Sequence, residues 1–525
     1  MRDFATLLDR LSYTPARNGK LALMADYFRC TPDPDRGYAL AALTDGLPFS
    51  FPVRQTVLDL AAQHIDPELF RLSRDYVGDT AETLSLIWPE RNAGEPPGLA
   101  QVVETLGLIG RNDLGVTLAR WLDTLDVNGR WALLKLVTGG MRTGVSARLA
   151  KTALSLAFDK PIEEIEEVWH GLAMPYTPLF AWLTGVGERP DVKNMPVFRP
   201  LMLSHPLEES DRAALDPADY QIEWKWDGIR VQVCARGGTS RIYSRSGDDV
   251  SAAFPEFANL PFNATLDGEL LVLRNGEVAP FQDLQQRLNR KTVTKKMLTD
   301  YPAHIRLYDL LEHDGEDIRT RTMAERRAAL EQWFATVRPA RMDVSEIVTV
   351  PDAEALARIW AQTRAEGIEG LMLKRRDAAY VSGRPKGLWW KWKREPLAAD
   401  CVLIYAQRGS GKRSSFYSDY TFAAWDGSKS PPELVPVGKA YSGFTDEELK
   451  RLDAFVRHNT VSRFGPVRQV EPKLVLEVAF DAIQPSTRHK SGIAMRFPRI
   501  SRIRWDKPAA EADTVQGLKA LIGGG

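Results

Sequence analysis

The stretch YQIEWKWDGIRVQVCA, residues 220–235, decides the fold in the middle of this chain. Its polar and apolar residues alternate, and a period of two is typical of a β-strand with one buried face. Glu223, Lys225 and Asp227 then share one face, and the two tryptophans between them bury the other. A single lysine flanked by carboxylates is normally a surface ion pair, so this stretch alone does not indicate a reactive residue.

Other short strands repeat this pattern of charge on one face. Gly228 permits a turn after the first strand, and Arg230 re-enters in the next one. The further charged pairs are Asp267 with Glu269 in ATLDGELLV, Glu366 with Glu369 in EGIEGLMLK, and Lys391 with Lys393 in WWKWK. The first pair is a candidate for contacts to a metal ion or a ribose hydroxyl. Each pair alone fits an amphipathic sheet, but together they are costly unless the charged face lines a site for a charged ligand.

The spacing of apolar residues, and with it the predicted secondary structure, changes on either side of these strands. From residue 1 to about 185, apolar residues recur at three- and four-residue spacing, which predicts helices. The proline-containing stretch GVGERPDVKNMPVFRPLM disfavours a continued helix and indicates a linker. Strands then mix with helical stretches, and after KWKREPLAAD strands with turn signals predominate. We expect a multidomain protein with an all-α N-terminal domain at 1–190, an α+β domain at 197–395 and a C-terminal β-barrel at 396–525.

The composition is that of a globular protein. Of the 525 residues, 44% are hydrophobic and 26% are charged, and the usual size of about 100 to 200 residues per domain suggests three units. The N-terminal MRDFATLLDRL lacks the apolar run of a signal peptide. No window approaches the roughly 20 apolar residues of a membrane span. We therefore expect a cytoplasmic protein that does not associate with membranes.

Cysteine usage and overall charge exclude some classes of function. Cys30, Cys234 and Cys401 lie far apart and none is in a CxxC pair, which argues against a disulfide framework and against a four-cysteine zinc site. The net charge is zero, from 69 basic and 69 acidic residues, so it gives no global case for nucleic acid. Positive charge is nevertheless concentrated in residues 287–296 and 488–507, and each segment alone is more often a solvated face.

Seven short motifs in order extend these observations to most of the chain. They are KWDGIR (225–230), SRSG (244–247), LDGEL (266–270), LYDLL (307–311), EGLMLK (369–374), WWKWK (389–393) and RFPRISRIRWDK (496–507). In this order they resemble the nucleotidyltransferase motifs of ATP-dependent DNA ligases. The segment LLKLVTGGMRTGVSARLAKTAL, residues 133–154, is similar to a signature of the helical DNA-binding domain of three-domain ligases. The resemblance implies an adenylation domain in the middle and an OB-fold for the barrel.

The resemblance also implies roles for single residues. Lys225 matches the lysine that forms the AMP-phosphoramidate, and Glu223 resembles the residue that reads the adenine amino group. Glu269 and Glu369 resemble metal contacts, and Glu269 also matches a ribose contact. The other implied ATP contacts are Arg230, Arg245, Tyr308 as the ring that stacks on adenine, Arg384, the phosphate-holding Lys391 and Lys393, and Arg499 and Arg504 of the barrel. ATP is then a substrate, and Mg²⁺ or Mn²⁺ is the implied cofactor.

The implied second substrate is nicked duplex DNA. The helical domain and the basic segment 287–296 would hold the phosphate backbone on both sides of the nick, with little base specificity and strong salt dependence. The candidate DNA contacts are Arg142, Arg287, Arg290 and Lys291. We expect a monomer, and the sequence does not identify its protein partners.

The chemistry requires an unprotonated lysine. A lysine amine has a reference pKa of about 10.4, and lowering it by two or three units costs roughly 3 to 4 kcal/mol. The like charges of Lys391 and Lys393, a divalent metal and desolvation can supply this. Glu223 and Asp227 oppose it, so we expect adenine to occupy Glu223 and other donors to occupy Asp227.

Three rival classes share part of this pattern. Capping enzymes and RNA ligases also carry KxDGxR, but the helical segment and the form of the last motif count against them. An NAD-dependent ligase would carry a four-cysteine zinc site and further modules after the barrel. A non-catalytic nucleic-acid scaffold is disfavoured by intact Lys225, Glu269, Glu369, Lys391 and Lys393.

Overall fold

The computed structural model describes residues 1–525 except 48, 50–52, 91–93, 140, 142, 289, 291, 363–367, 395, 409–416, 442–445, 488 and 523–525. The chain divides into two compact units, one being Leu154–Arg394 and the other Met1–Ala153 together with Glu395–Gly525. Among the described residues, no helix is both long and apolar enough to cross a membrane.

The N-terminal region is helical, as predicted. Its helices are α1 (Arg2–Tyr13), α2 (Arg17–Cys30), α3 (Asp35–Leu43), α4 (Val53–His64), α5 (Pro67–Val77), α6 (Thr80–Ile87), α7 (Leu99–Leu108), α8 (Arg111–Thr124), α9 (Val127–Thr138), α10 (Ala147–Phe158), α11 (Ile162–Trp169) and α12 (Thr177–Leu183). Asp66, Asp79 and Asp126 cap α5, α6 and α9 by accepting a backbone N–H three residues on, which satisfies amides that a helix leaves free at its start.

The predicted DNA-binding signature, residues 133–154, spans the end of α9, a turn and the start of α10. The α9 helix ends at Thr138 and is capped by Gly139, whose φ of +65° is the left-handed conformation that glycine favours. In the turn that follows, the Thr143 carbonyl accepts a 2.5 Å hydrogen bond from the buried Lys20 Nζ of α2. A buried ammonium therefore holds the described part of this turn against the helices.

The unit Leu154–Arg394 contains α11, α12 and an α+β body. The elements of that body are β1 (His205–Pro206), α13 (Glu209–Ala213), β2 (Tyr220–Trp226), β3 (Ile229–Arg236), β4 (Thr239–Ser244), β5 (Ala264–Arg274), β6 (Glu277–Val278), α14 (Phe281–Gln285), α15 (Lys295–Asp300), β7 (Ala303–His313), β8 (Glu316–Asp317), α16 (Met323–Val337), β9 (Met342–Val344), α17 (Ala353–Gln362), β10 (Ile368–Arg375) and β11 (Trp389–Lys393).

Two sheets form the centre of this body. The first has the strand order β1-β11-β10-β2, and the second has the order β4-β3-β5-β7-β8, with β6 paired to β5 and β9 to β7. The alternating stretch 220–235 crosses from the first sheet to the second, because β2 and β3 belong to different sheets. The strand, turn and strand predicted for this stretch are therefore confirmed.

The C-terminal region is rich in β-strands. Its elements are β12 (Leu397–Arg408), β13 (Tyr417–Asp426), β14 (Glu433–Ala440), α18 (Asp446–His458), β15 (Thr460–Phe464), β16 (Val467–Val470), β17 (Val475–Phe480), β18 (Ala482–Pro485), β19 (Ile493–Arg496), β20 (Arg499–Arg504) and α19 (Val515–Ala520). The long β12 pairs with β13, β16 and β17, and alternate residues such as Cys401, Leu403 and Phe422 point into one apolar core. The OB-like fold predicted for this region is confirmed.

Candidate active site

Three neighbouring strands carry the charged face that the sequence predicts. The central strand β10 pairs antiparallel with β2 on one side and with β11 on the other. Residues that lie opposite one another form two rows, Lys225–Gly370–Lys393 and Glu223–Met372–Lys391. Because partners across a ladder point to the same side of a sheet, four charged residues share one face.

The reverse face of these strands is apolar. Its cluster consists of Tyr220, Ile222, Leu356, Leu371, Leu373, Trp390 and Trp392, with Trp224 packed against it. The predicted burial of the strand backs by tryptophans is therefore confirmed at three positions. Trp226 behaves differently, because the guanidinium carbon of Arg306 lies 4.4 Å from its ring centroid.

Glu369 reaches the charged face through an irregularity in β10. The register of β10 against β2 shifts between Ile368 and Gly370, so Glu369 is an additional residue in a β-bulge. Gly370 has a φ of +144°, and a Cβ at this position would overlap the carbonyl oxygen of Trp392. Glycine is therefore required beside Glu369.

Lys225 forms an ion pair with Glu369. The same carboxylate oxygen of Glu369 lies 3.2 Å from the Nζ of Lys393, so one acidic group is shared by two lysines. Burial alone would raise the pKa of Glu369, but the charges of Lys225 and then Lys393 outweigh it and lower that pKa to about 2. Glu369 is thus a carboxylate at neutral pH, and it is the described ion-pair partner of Lys225.

A second carboxylate belongs to the same electrostatic cluster. Burial raises the pKa of Glu269 to about 7, with Lys225 lowering it and the like charge of Glu369 raising it further. Glu269 lies on β5 directly opposite Arg230 of β3. The environment of Glu269 therefore disfavours its negative charge when no cation is added.

The turn between β2 and β3 brings the two sheets together at Lys225. A Cβ on Gly228 would lie 2.6 Å from the Leu270 carbonyl oxygen, so a larger residue would collide with β5. Lys225 on the first sheet and Arg230 on the second are only five residues apart in sequence, and so short a connection requires this close approach.

Arg230 is held in place by a buried network. Its Nη2 lies 2.6 Å from Asp267 Oδ2 and 3.1 Å from the Tyr380 hydroxyl, and its Nη1 donates to the Met202 carbonyl at 2.6 Å. Asp267 also accepts from the Tyr380 hydroxyl at 2.6 Å and from Gln232 at 3.0 Å, and it is fully buried. The prediction that Asp267 contacts a metal or a ribose is wrong, because protein donors occupy its oxygens; Asp267 positions Arg230.

Glu223 lies in a second buried network. Its Oε1 accepts from the Lys374 Nζ at 2.9 Å and from Gln221 at 2.6 Å, and both Glu223 and Lys374 are 2% exposed. The Nζ of Lys374 also lies 3.9 Å from the ring centroid of Tyr308. Burial lowers the pKa of Lys374, and the neighbouring Glu223 carboxylate offsets only part of that effect. Lys374 thus links the two residues that the sequence assigns to the adenine base.

Further cations act electrostatically on Lys391 and on one another. Burial and then the like charges of Arg230 and Arg384 lower the pKa of Arg245. Burial and then the charges of Lys393 and Arg384 lower the pKa of Lys391. These cations outnumber the carboxylates among them, which suits a ligand that carries several negative charges.

The similarity of this chain to known proteins agrees with the site. A family model described as "ATP dependent DNA ligase domain" matches residues 201–393, and one described as "ATP dependent DNA ligase C terminal region" matches residues 413–507. A protein named "Probable DNA ligase" from Koribacter versatilis is 35% identical over 416 residues, which cover 74% of this chain and 71% of that protein. The chain belongs to the ATP-dependent DNA ligase family. Members of this family seal nicks in DNA.

Further relatives extend the match to the whole length of the chain. "DNA ligase 1" from Korarchaeum cryptofilum is 29% identical over 546 residues, covering 99% of this chain and 98% of that protein. A solved structure named "Pmar-Lig_Pre." superposes with a TM-score of 0.59 over 96% of this chain and 99% of its own length. At 17% identity that likeness concerns the fold alone. Membership of the DNA ligase family decides against the capping-enzyme, RNA-ligase and NAD-dependent alternatives.

The acidic residues of this ligase fit a divalent cation only in part. Within the described residues, no group of three or more His, Cys, Asp or Glu side chains is placed to hold a metal ion. Mg²⁺, however, is usually bound by one or two carboxylates together with waters and substrate phosphates. Glu269 and Glu369 supply such a pair, and the like charge of Glu369 contributes to the raised pKa of Glu269.

The predicted ATP contacts of the last motif lie in the other compact unit. Arg499 forms an ion pair with Asp481 at 3.5 Å, and Arg504 lies 3.0 Å from Asp506 and 3.6 Å from Asp400. Their described partners are thus acidic residues of the OB-like region. Their contact with ATP stays a prediction.

The basic segment 287–296 divides into two kinds of residue. Arg287 is fully buried and forms a bidentate pair with Glu256, one contact being 2.7 Å, so the prediction that it contacts DNA is wrong. Arg290 is exposed and donates to the Gln286 carbonyl at 3.2 Å. Arg142, Lys291 and Glu366 lie outside the described residues.

Lys374 and Tyr380 were missed by the sequence analysis. The signal for Lys374 was present, because in EGLMLK it lies two residues after Met372 and therefore on the charged face. Tyr380 carried no such signal. Its partner Asp267 is 113 residues away in sequence, and the residue follows the end of β10.

Proposed function

We propose that this chain seals nicks in duplex DNA at the expense of ATP, with Lys225 as the residue that carries AMP. The observation that supports this is the position of Lys225, whose Nζ shares the Glu369 carboxylate with Lys393 on a face lined by further cations. A nucleophile surrounded by cations suits attack on a triphosphate, because developing negative charge on the leaving group is then stabilised.

The reaction has three steps. The unprotonated Lys225 Nζ attacks the α-phosphorus of ATP, an N–P bond forms, the P–O bond to pyrophosphate breaks, and the amine loses a proton. The 5′-phosphate at the nick then attacks the same phosphorus, which frees Lys225 and leaves AMP on the DNA. Finally the 3′-hydroxyl attacks the 5′-phosphate, and AMP leaves as the phosphodiester forms.

In this proposal different residues of the chain contact different parts of ATP. Tyr308 offers a ring face to the adenine and Glu223 an acceptor to its amino group, with Lys374 holding Glu223 in position. The sugar and the phosphates are contacted by Arg230, Arg245 and Arg384. The phosphates are also contacted by Lys391 and Lys393. Lys225 forms an ion pair with Glu369, and this contact must be released before the Lys225 Nζ can attack. In this proposal Arg499 and Arg504 are further contacts of ATP.

Glu269 and Glu369 would hold Mg²⁺ or Mn²⁺. When bound, the ion neutralises phosphate charge and polarises the α-phosphate. A carboxylate such as Glu269, whose pKa is raised to about 7 by burial, becomes easier to ionise beside a cation. The charge of Glu269 is thus better satisfied with a cation than without one.

The remaining assignments concern the DNA and the organisation of the chain. In this proposal residues 1–190 form the DNA-binding domain, 197–395 the adenylation domain and 396–525 the OB-fold domain. Arg142, Arg290 and Lys291 contact the phosphate backbone. The enzyme acts as a monomer in the cytoplasm, and it belongs to the ATP-dependent class of DNA ligases.

Labelling with nucleotide tests the central assignment. The full chain is incubated with α-labelled ATP and Mg²⁺, without DNA, and is then separated by denaturing electrophoresis. We expect label on the wild-type chain and no label on Lys225→Ala. Lys193→Ala, which removes an exposed lysine of the same unit, serves as the matched control and should label normally.

Further arms of the experiment test the substrates. Label from ATP but not from GTP supports the base assignment, and chelation of the divalent ion should abolish labelling. Addition of nicked DNA should release the label and yield a sealed strand, whereas nicked RNA should not be sealed. Label that survives in Lys225→Ala would refute the proposed carrier.

A further inference from the structure

The helix α11 ends against the nucleotide-binding body through an aromatic cluster. His170 follows the last residue of α11. Its ring centroid lies 4.5 Å from that of Tyr243 and 5.5 Å from that of Phe198, and the latter two rings lie 5.7 Å apart. Phe198 and Tyr243 are buried at 4% and 1% exposure. Three side chains from separate parts of the sequence thus form one packed contact.

His170 also touches the turn that follows Tyr243. Gly247 in that turn has a φ of +84°, and a Cβ on it would lie 3.3 Å from the Nε2 of His170 and 3.3 Å from Phe198. The ring of His170 therefore closes one side of the turn. Because these side chains are closely packed, removal of one of them shifts the residues that pack against it.

The turn itself is short and carries Arg245. Its backbone is closed by the Ser244 N–H, which donates to the Asp248 carbonyl at 2.8 Å, and by the Gly247 N–H, which donates to the Ser244 carbonyl at 2.9 Å. The charged residues that act electrostatically on the Arg245 side chain are Arg230, Arg384 and Glu269 of the active site. The conformation of this turn therefore decides where the Arg245 guanidinium lies.

The helix that delivers His170 is firmly attached to the same unit. Glu167, one turn before His170, pairs with Arg319 at 2.9 Å and with Arg189 at 2.9 Å. Arg319 is in turn paired with Asp317 at 2.6 Å. Burial would raise the pKa of Glu167, but the hydrogen bonds from Arg319 and Arg189 lower it. These ion pairs therefore hold the end of α11, and with it His170, in place next to the turn.

We propose that His170 is a positioning residue for Arg245, so that the end of α11 sets the geometry of a nucleotide-binding arginine. His170 acts on ATP only through the turn and does not touch the substrate. The inference rests on the proposed function, because it takes Arg245 as a contact of ATP. It adds to that function a residue outside the seven motifs, at the end of a helix rather than on the sheets.

The test is a double-mutant cycle on the full chain, with the rate of Lys225 labelling measured against ATP concentration. We expect His170→Ala to raise the half-saturating ATP concentration about five- to ten-fold, the size typical of coupled neighbours, with little change in the maximal rate. His170→Phe keeps a ring of similar shape and should restore most of the wild-type value. His313→Ala, which removes an imidazole elsewhere in the unit, should change neither parameter.

The second half of the cycle separates positioning from a general structural role. In the background of Arg245→Ala, which should itself raise the half-saturating ATP concentration, His170→Ala should add less than two-fold. A folded His170→Ala chain with an unchanged requirement for ATP would overturn the inference, as would effects that multiply fully in the double variant or an Arg245→Ala chain that binds ATP normally. If wild-type labelling is normal in these cases, the proposed function stands; absence of label in the wild type would refute both.

Discussion

The two sheets of Leu154–Arg394 both carry charged side chains, but they balance them in different ways. In the second sheet, Asp309 meets the Nε and Nη2 of Arg326 at 2.9 and 3.0 Å, with neither side chain exposed. In the first sheet, Lys225 and Lys393 share the single carboxylate Glu369, which is partly exposed. A charge with a complete set of partners fixes the architecture, whereas a shared carboxylate leaves its cations available to a ligand.

The largest effect is expected where the balanced pair is broken. Asp309→Asn leaves Arg326 buried without a counter-charge, which should cost about 3 to 5 kcal/mol in the free energy of unfolding. Urea unfolding of the full chain measures this. Asp377→Asn breaks an exposed pair with Arg375 and should cost less than about 1 kcal/mol. Equal losses in the two variants would contradict the contrast between buried and exposed pairs.

The shared carboxylate should matter for chemistry rather than for stability. Glu369→Gln keeps the size of the side chain but removes the charge that orients Lys225 and would hold the cation, so the maximal rate of Lys225 labelling should fall about 10²- to 10³-fold. The midpoint of urea unfolding should change little. Glu346→Gln, which alters an exposed glutamate of the same unit, is the matched control. A labelling rate within three-fold of wild type would remove Glu369 from the mechanism.

Lys374 combines the features of both sheets, because it lies on the charged face but is fully paired. Lys374→Met leaves Glu223 buried with Gln221 as its remaining described side-chain partner, and a charge deprived of a strong hydrogen bond loses about 1 to 3 kcal/mol. We expect the half-saturating ATP concentration to rise about five- to 100-fold. Lys374→Arg keeps the charge and should recover part of the loss. An unchanged requirement for ATP would show that Glu223 does not depend on Lys374.

The smallest effect is expected at the exposed surface. Arg290→Ala should weaken binding of nicked DNA and reduce the slope of log affinity against log salt by about one, without changing the stability of the chain. Binding measured over a series of salt concentrations tests this. Arg287→Ala should instead destabilise the fold, because it leaves Glu256 without its bidentate partner. A salt slope that does not change in Arg290→Ala would remove it from the DNA interface.

The features that the sequence predicted correctly depend on local periodicity. The alternation around Lys225 and in WWKWK determines which side of a strand a residue faces, so the charged face and its tryptophan backing were predictable. The bulge at Glu369 was not, because it arises where Gly370 meets the Trp392 carbonyl of a neighbouring strand. The basic segment was wrong at Arg287 for a related reason, since composition does not show which arginine turns inward to Glu256, 31 residues earlier.

The partners of Arg230 show the same limit. Asp267 and Tyr380 come from strand β5 and from the segment after β10, and no spacing in the sequence connects them. The motif LDGEL identified the right strand. It did not show that the two acidic residues of this strand have different environments, with Asp267 buried and Glu269 facing the charged cluster. That difference depends on which oxygens are filled by donors from distant segments.

The close approach at Gly228 has a consequence for how this enzyme can vary. Because β2 and β3 belong to different sheets, the six residues KWDGIR contribute side chains to both sheets. The spacing within this short motif is therefore set by the junction between the two sheets. One inserted residue between Lys225 and Arg230 would turn one of these side chains to the opposite face of its strand. The length of this junction is therefore fixed.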